Sequence, residues 1–342
     1  MNKLHNTEDG RVLREQMLES HENRVTISFY KYWNIPNPNF FRDYLFLHWD
    51  ELGVKGRIYV SYEGINAQLV IPAENFEAFK HDLSEVSFLD GIRLNIAIED
   101  DGKSFFKLKI KVRDKIVADG LNDETFDVTQ CGKHLKADEF NKLTDEEDTI
   151  LIDMRNHYES EVGHFEGAIC PNVDTFREEI EVVEELLEGK KNENIVMYCT
   201  GGIRCEKASA YLKHKGFENV HQLEGGIIEY ARQTNKSGIE SKFIGKNFVF
   251  DERLGERISD EIIASCHQCG EPCDDHTNCA NDMCHLLFIQ CSSCAEKLDA
   301  CCSEKCSEVL HLPEEEKIAM RKGGNYTQSD FHKGRSSHLP FA

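Results

Sequence analysis

A cysteine and an arginine frame a glycine-rich segment in the stretch YCTGGIRCEKASAYL, with Cys199 near its start and Arg204 at its far end, after the four loop residues Thr200, Gly201, Gly202 and Ile203. Cys199 ends an apolar run typical of a buried strand, and a predicted helix follows. Converging backbone N–H groups and the helix dipole favour a nucleophilic thiolate at such a junction. The alternative is a structural cysteine in an ordinary loop, which the glycine pair and the flanking Arg204 disfavour.

The next cysteine, Cys205, has two interpretations. It follows the loop directly, so it is placed to resolve an oxidised or persulfidated Cys199 as a disulfide. It also falls in the first turn of the predicted helix, where a free cysteine is often simply buried. The pattern slightly favours packing.

Ten further cysteines lie between Cys266 and Cys306, in a chain with no recognisable export signal. Two C-x2-C pairs have the spacing with which adjacent thiolates grip one tetrahedral zinc. Interleaving with two other pairs predicts one site from Cys266, Cys269, Cys291 and Cys294, and a second from Cys279, Cys284, Cys302 and Cys306. Alternative ligands for the second site are Cys273, Cys301, His267, His276 and His285.

The metal in this cysteine-rich region is expected to be a structural zinc. The segment has little apolar sequence besides HLLFI, so it needs a metal to fold. An iron–sulfur cluster is the first alternative, and a cysteine store for redox chemistry ranks last.

Composition narrows the class of protein. The chain has 342 residues, which suits a multidomain globular protein. Its formal charge of −22 mildly disfavours nucleic acid as a partner, although a local basic face can outweigh the total, and no DNA is expected. No apolar run is long enough to span a membrane, so no membrane association and a cytoplasmic location are expected. We recognise no flavin or haem motif.

Alternating strands and helices must position the Cys199 loop. From about residue 126 to 236 the runs DTILIDMR, NENIVMYC and NVHQLEGGI are strand-like and are separated by amphipathic helical stretches. This alternation predicts an α/β domain with a parallel sheet and helices on both faces. Ligands of such sheets bind beyond the carboxyl ends of the strands, where Cys199 is expected.

The preceding region, residues 24–120, has a different order. Its elements read β-α-β-β-α-β, the ferredoxin- or acylphosphatase-like α+β pattern. Its last strand, FFKLKIKVRDKIVADG, alternates apolar residues with a row of cations, namely Lys107, Lys109, Lys111, Arg113 and Lys115. These cations either contact RNA phosphates or protect an edge strand from pairing with other chains.

A polar lead, 1–23, precedes this domain. A cysteine-rich region, 237–312, and a helical or mobile tail, 313–342, follow the α/β domain.

The central region resembles the rhodanese family. CTGGIR is similar to the rhodanese active loop, and DMRNHYESEVGHFEGAI resembles the family's upstream signature, including Asp153, Arg155 and His164. A four-residue spacing between Cys and Arg is suited to a sulfur-sized species, whereas related phosphatases use five residues. The resemblance implies that Cys199 can carry a persulfide.

Nearly the whole chain resembles the bacterial tRNA uridine hydroxylases that carry a rhodanese domain, through VSYEGINA, KVRDKIVADG, the cysteine loop and the cysteine-rich tail. The resemblance implies oxygen-dependent formation of 5-hydroxyuridine at wobble position 34 of tRNA, with Cys199 as active cysteine. A base flipped out near Cys199 needs a pocket, and aromatic residues such as Tyr198 are candidates for stacking on it. Two alternatives are a sulfurtransferase that passes persulfide sulfur to an acceptor and a non-catalytic scaffold that binds RNA or protein.

Overall fold

The computed structural model describes residues 4, 8–122, 125–322 and 338–342. Within the predicted polar lead, helix α1 spans Gly10–Glu19 and buries Leu13 and Met17. Asp9 caps it by accepting a hydrogen bond from the Arg11 N–H at 2.8 Å. The polar sequence of the lead concealed this helix, because only two of its positions are apolar and buried.

A five-stranded sheet follows, covered on one face by two helices. Its strands are β1 (Arg24–Tyr32), β2 (Lys55–Ser61), β3 (Gly64–Pro72), β4 (Asn95–Ile96) and β5 (Leu108–Val112), in the order β4-β1-β3-β2-β5. The helices are α2 (Pro38–Glu51) and α3 (Phe76–Glu85). Alternation along β1 turns Ile27 and Phe29 into the apolar core under these helices. The predicted ferredoxin-like pattern is confirmed, with β5 added at the edge.

The second sheet is parallel and carries the cysteine loop. Its strands are β6 (Lys133–Leu135), β7 (Thr149–Asp153), β9 (Asn194–Tyr198) and β10 (Val220–Leu223), in the order β6-β10-β9-β7, and β8 (Gly163–Phe165) lies outside it. Its helices are α4 (Ala137–Thr144), α5 (His157–Ser160), α6 (Phe176–Leu186), α7 (Ile203–His214) and α8 (Gly226–Ser237). Separate apolar clusters, one with α6 and α7 and one with α4 and α8, confirm helices on both faces.

The cysteine-rich region begins by extending the central domain. Strand β11 (Phe243–Asn247) pairs with β8 and with β12 (Glu256–Arg257). A hairpin of β13 (His276–Asn278) and β14 (Leu287–Ile289) follows, then α9 (Ser292–Lys297), α10 (Glu304–Leu310) and α11 (Glu314–Lys322). The expected tail is therefore helical at its start, and its residues 323–337 lie outside the described residues. Among the helices of the described residues, none has the length and apolarity to cross a membrane.

A buried ion cluster fixes the first domain against the helix that follows the cysteine loop. Lys207 on α7 contacts the carboxylate of Glu63, which lies in the β2–β3 turn, and its Nζ is 3.3 Å from Asp119 Oδ2. Lys207 and Asp119 are almost fully buried. Because a buried charge is costly without a partner, this cluster holds the two domains in one arrangement.

Candidate active site

The Cys199 sulfur lies in a cradle of backbone donors at the carboxyl end of β9. The Gly202 N–H donates to Cys199 Sγ at 3.1 Å. Gly202 has φ +102, and a Cβ there would approach the Tyr30 hydroxyl oxygen to 2.7 Å. Glycine is required at this position both by its conformation and by the close approach of the first domain.

The surroundings of Cys199 favour its thiolate. Burial by itself raises the thiol pKa, but hydrogen bonds from Cys205, the charge of Arg204 and the backbone N–H groups of both residues lower the pKa to about 6. Cys205 is fully buried, and its own pKa is raised well above the usual value by burial and by its hydrogen bond to Cys199. Cys205 is a packed core residue, and its thiol contributes to lowering the pKa of Cys199.

Arg204, whose charge lowers the pKa of Cys199, is itself paired with a carboxylate. Its Nη1 and Nη2 donate to Glu159 Oε1 and Oε2 at 2.7 and 2.8 Å, and both side chains are buried. Burial raises the pKa of Glu159, but the Arg204 guanidinium outweighs it and holds the pKa below its usual range. Glu159 belongs to the upstream signature, yet its pairing with Arg204 could not be derived from the sequence.

Three predicted supporting residues lie behind the loop and not in front of the sulfur. Arg155 Nε donates to Asp153 Oδ1 at 2.8 Å, and the Tyr198 hydroxyl donates to Asp153 Oδ2 at 2.8 Å. His164 Nδ1 is 3.0 Å from the Ser160 carbonyl oxygen. Tyr198 is fully buried, so its expected stacking on a base is wrong, because its ring packs in the core and its hydroxyl is used by Asp153.

A polar network that sequence reasoning missed joins the loop to both domains. The Tyr30 hydroxyl donates to Glu206 Oε1 at 3.1 Å, and His134 Nε2 is 2.8 Å from the same oxygen. Donor atoms of Cys131, His134 and Glu206 lie within 4.8 Å of one another. The hydrogen bonds to Glu206 occupy these groups and fix the first turn of α7 against β1.

A cavity of about 560 Å³ opens in front of Cys199. It is walled by residues from three parts of the chain. The first domain supplies Ser28, Tyr30, Arg57, Tyr59, Asn66, Gln68 and Asn95; the central domain supplies Tyr158, Cys199, Thr200, Gly201 and Arg204; the segment after β11 supplies Val249, Phe250 and Arg253. Its size lies within the range of small-molecule sites in proteins.

The first domain presents the open face of its sheet to this cavity. Strand register places Asn95, Ser28, Gln68, Arg57 and Lys109 in one row across all five strands, and Tyr30, Asn66, Tyr59 and Lys111 in the next. Alternation points these side chains away from the helix-covered core. One continuous polar surface therefore runs from the cavity to the basic edge strand.

The cations in and beside β5 form the outer end of that surface. Burial and then the nearby Lys111, Lys107, Arg57 and Arg113 lower the pKa of Lys109, which shows that these cations are close together. Lys115 differs, because its Nζ donates to Asp119 Oδ1 at 2.6 Å and to the Leu121 carbonyl at 2.5 Å. Since β5 is also an edge strand, protection against strand pairing stays an alternative.

The two cysteine sets come together as the spacing predicts. Thiol sulfurs of Cys266, Cys269, Cys291 and Cys294 lie within 4.8 Å of one another, and so do those of Cys279, Cys284, Cys302 and Cys306. Sulfur–sulfur distances of 3.6 Å for Cys269–Cys291 and 3.7 Å for Cys284–Cys302 fit tetrahedral zinc, for which Zn–S bonds of about 2.3 Å place thiolates roughly 3.8 Å apart. The alternative ligands Cys273, Cys301, His267, His276 and His285 belong to neither set.

Comparisons with protein families divide the chain as the fold does. The model described as "UPF0176 acylphosphatase like domain" matches residues 24–116, "Rhodanese-like domain" matches 136–233, and "Rhodanase C-terminal" matches 244–307. Among solved structures, a rhodanese-like domain protein from Staphylococcus aureus is 26% identical over 29% of this chain and 90% of that one, with a TM-score of 0.24.

Curated relatives match over nearly the full length. The "tRNA uridine(34) hydroxylase" of Photorhabdus laumondii is 57% identical and covers 97% of this chain and 95% of its own. The protein of that name from Pectobacterium carotovorum is 55% identical and covers 98% and 97%. With this identity across both domains and the cysteine-rich region, the chain belongs to the tRNA uridine(34) hydroxylase family.

Proposed function

We propose that this protein is a tRNA uridine 5-hydroxylase, which forms 5-hydroxyuridine at position 34 with molecular oxygen as co-substrate. The observation that carries the proposal is the cavity that brings the Cys199 sulfur opposite the open sheet face of the first domain. A nucleotide in this cavity contacts the reactive thiolate on one side and a polar recognition surface on the other. The names of the full-length relatives support the same activity.

The basic end of the sheet face gives the RNA a path to the cavity. Lys109 lies opposite Arg57 in the strand register, and Arg57 also lines the cavity. Neighbouring strands are about 4.8 Å apart, so Lys109 on β5 is roughly 14 Å across the sheet from β1. This is a span of a few nucleotides, and it allows phosphates to rest on Lys107, Lys109, Lys111 and Arg113 while a base enters the cavity.

The cysteine-rich region holds two structural zinc ions in this proposal. Four thiolates at each set leave no ligand position open, which is typical of a structural and not a catalytic zinc. The region packs on the central domain, since His267 Nε2 is 2.9 Å from Glu161 Oε1. Zinc there stabilises the segment from β11 onward, which includes the Val249–Phe250 wall of the cavity.

A sulfurtransferase is the second candidate, favoured by the low pKa of Cys199 in a rhodanese loop. That activity needs a persulfide and an acceptor, and the Cys199 loop by itself is large enough for a small sulfur donor. The 560 Å³ cavity with its amide and tyrosine wall exceeds that need. The cavity therefore favours a nucleotide substrate.

Mass spectrometry of tRNA nucleosides distinguishes the candidates. Cells lacking the protein should lose 5-hydroxyuridine and its derivatives and regain them with the wild-type gene. Loss of thiolated nucleosides instead would identify a sulfurtransferase. No change in either class would leave only a non-catalytic role and would overturn both enzymatic candidates.

A further inference from the structure

The carboxamide of Gln68 is a recognition group without a partner inside the protein. Gln68 lies on β3, the central strand of the five-stranded sheet, and its half-buried side chain lines the cavity in front of Cys199. Within the described residues, no hydrogen bond engages its side chain. A half-buried amide needs a donor and an acceptor partner, and in the free protein only water can supply them.

Its neighbours make the site suited to a flat, uncharged ring. In the strand register Gln68 has Ser28 on one side and Arg57 on the other, and Tyr59 is one position away on the same face. Tyr59 and Phe105 also line the cavity and offer aromatic surface, while Arg57 leads to the basic edge strand. An extruded nucleobase is bound by amides that hydrogen-bond to its Watson–Crick edge and by aromatic rings that stack on it, with a cation at the entrance.

We propose that the cavity holds one extruded uracil base with its Watson–Crick edge against the Gln68 carboxamide. The carboxamide oxygen accepts from uracil N3–H, and its NH₂ donates to an adjacent base carbonyl. This inference rests on the proposed function and deepens it by naming a residue that binds the base.

Ring geometry connects this contact to the chemistry. In uracil, C6 lies opposite N3 across the ring, and C5 is next to C6. When Gln68 holds the N3 edge, the C5–C6 edge is directed away from β3 into the cavity, whose lining includes Cys199, Thr200 and Gly201. C5 is the atom that carries the hydroxyl in the product, so the Gln68 contact aims the reacting edge at the sulfur.

Binding of chemically edited RNA tests the contact without depending on turnover. An anticodon stem–loop with uridine at the target position is compared with the same hairpin carrying 3-methyluridine, which lacks the N3–H donor. Wild-type protein should bind the methylated hairpin roughly tenfold more weakly, the usual loss when a buried hydrogen bond is broken. Gln68→Leu should weaken uridine binding by a similar factor and abolish the difference between the two hairpins.

Two further variants serve as controls for the binding experiment. Gln16→Leu makes the same change on an exposed face of α1, outside the cavity, and should behave as wild type. Gln68→Glu preserves size and fold if leucine is not tolerated, and it should also weaken uridine binding because its carboxylate repels the base carbonyl. The inference is overturned if wild type does not discriminate between the hairpins or if Gln68→Leu still does.

The same preparations separate this inference from the proposed function. Wild-type protein is incubated aerobically with the uridine hairpin, and 5-hydroxyuridine is measured by nucleoside mass spectrometry. Hydroxylation together with unaltered discrimination by Gln68→Leu would reject the Gln68 contact and keep the function. Loss of discrimination in Gln68→Leu without hydroxylation by wild type would keep the base contact and reject the function.

Discussion

Arg204 and Glu159 form a buried, bidentate ion pair directly beneath the Cys199 loop, with distances of 2.7 and 2.8 Å. Arg204→Gln leaves the Glu159 carboxylate buried without a cation, which typically costs about 3–5 kcal/mol. We expect a loss of that size in the free energy of unfolding, measured by urea titration. The matched control is Lys80→Gln, which removes the exposed Lys80–Glu77 pair and should cost less than about 1 kcal/mol. Equal losses of unfolding free energy in the two variants would contradict the claim that burial makes the Arg204–Glu159 pair important for stability.

The low pKa of Cys199 predicts alkylation at unusually acidic pH. Since the pKa is lowered to about 6, the reactive thiolate is present from about pH 6 upward and is lost by protonation below it. Burial raises the pKa of Cys131 and Cys170 to about 12, so these two residues serve as internal controls and should not react at pH 7. Iodoacetamide labelling followed by peptide mapping gives the midpoint for each cysteine.

The thiol of Cys205 is predicted to support that acidity. Cys205→Ala removes a hydrogen bond donated to the Cys199 sulfur, so the alkylation midpoint of Cys199 should move to higher pH. If Cys205 is only a packed core residue, the variant should lose stability and keep the midpoint.

Cys199→Ser should abolish formation of 5-hydroxyuridine in a complementation assay. The hydroxyl still accepts from the Gly202 N–H, so the loop should keep its fold, but it is not ionised at neutral pH. Circular dichroism verifies the fold, and nucleoside mass spectrometry measures the product. Cys170→Ser, which lies outside the loop and outside the Glu206 network, is the control and should retain activity. Near-normal modification by Cys199→Ser would remove this residue from the mechanism.

Purified protein should contain two equivalents of zinc. Cys266→Ser should lose one equivalent and Cys279→Ser the other, because each breaks a different set of four thiolates. Cys273→Ser changes a buried cysteine of the same region that belongs to neither set, so it should retain both. Metal analysis by plasma mass spectrometry counts the ions, and iron in place of zinc would favour a cluster.

The basic edge strand predicts salt-dependent binding of tRNA. Replacing Lys107, Lys109 and Lys111 together by Gln should flatten the slope of log affinity against log salt by roughly 0.7–0.9 for each phosphate that the variant no longer neutralises. A control that changes the exposed Lys80, Lys142 and Lys236 to Gln alters net charge equally and should keep the slope. An unchanged slope in the first variant, with increased aggregation, would favour edge protection instead.

Local patterns predicted most elements of the first and central domains, though not α1, and singled out Cys199 as the candidate reactive cysteine. Apolar periodicity predicts β1 to β3 and the alternating strands and helices of the central domain, because each element buries one face of its own sequence. The Cys-x4-Arg loop at a strand end and the C-x2-C pairs are likewise recognisable, because the residues that form each motif are close together in the sequence. A pair of residues only a few positions apart is constrained by the backbone itself, so its spacing is informative.

Contacts between distant segments were decided only by the tertiary structure. Tyr30 and Glu206, or Glu63 and Lys207, are separated by more than a hundred residues, and no periodicity relates them. The cavity is likewise assembled from three parts of the chain, so its wall opposite Cys199 and the position of Gln68 could not be predicted. Domain docking depends on the summed packing and burial of charge across an interface, and these are properties of the folded surfaces and not of any local stretch of sequence.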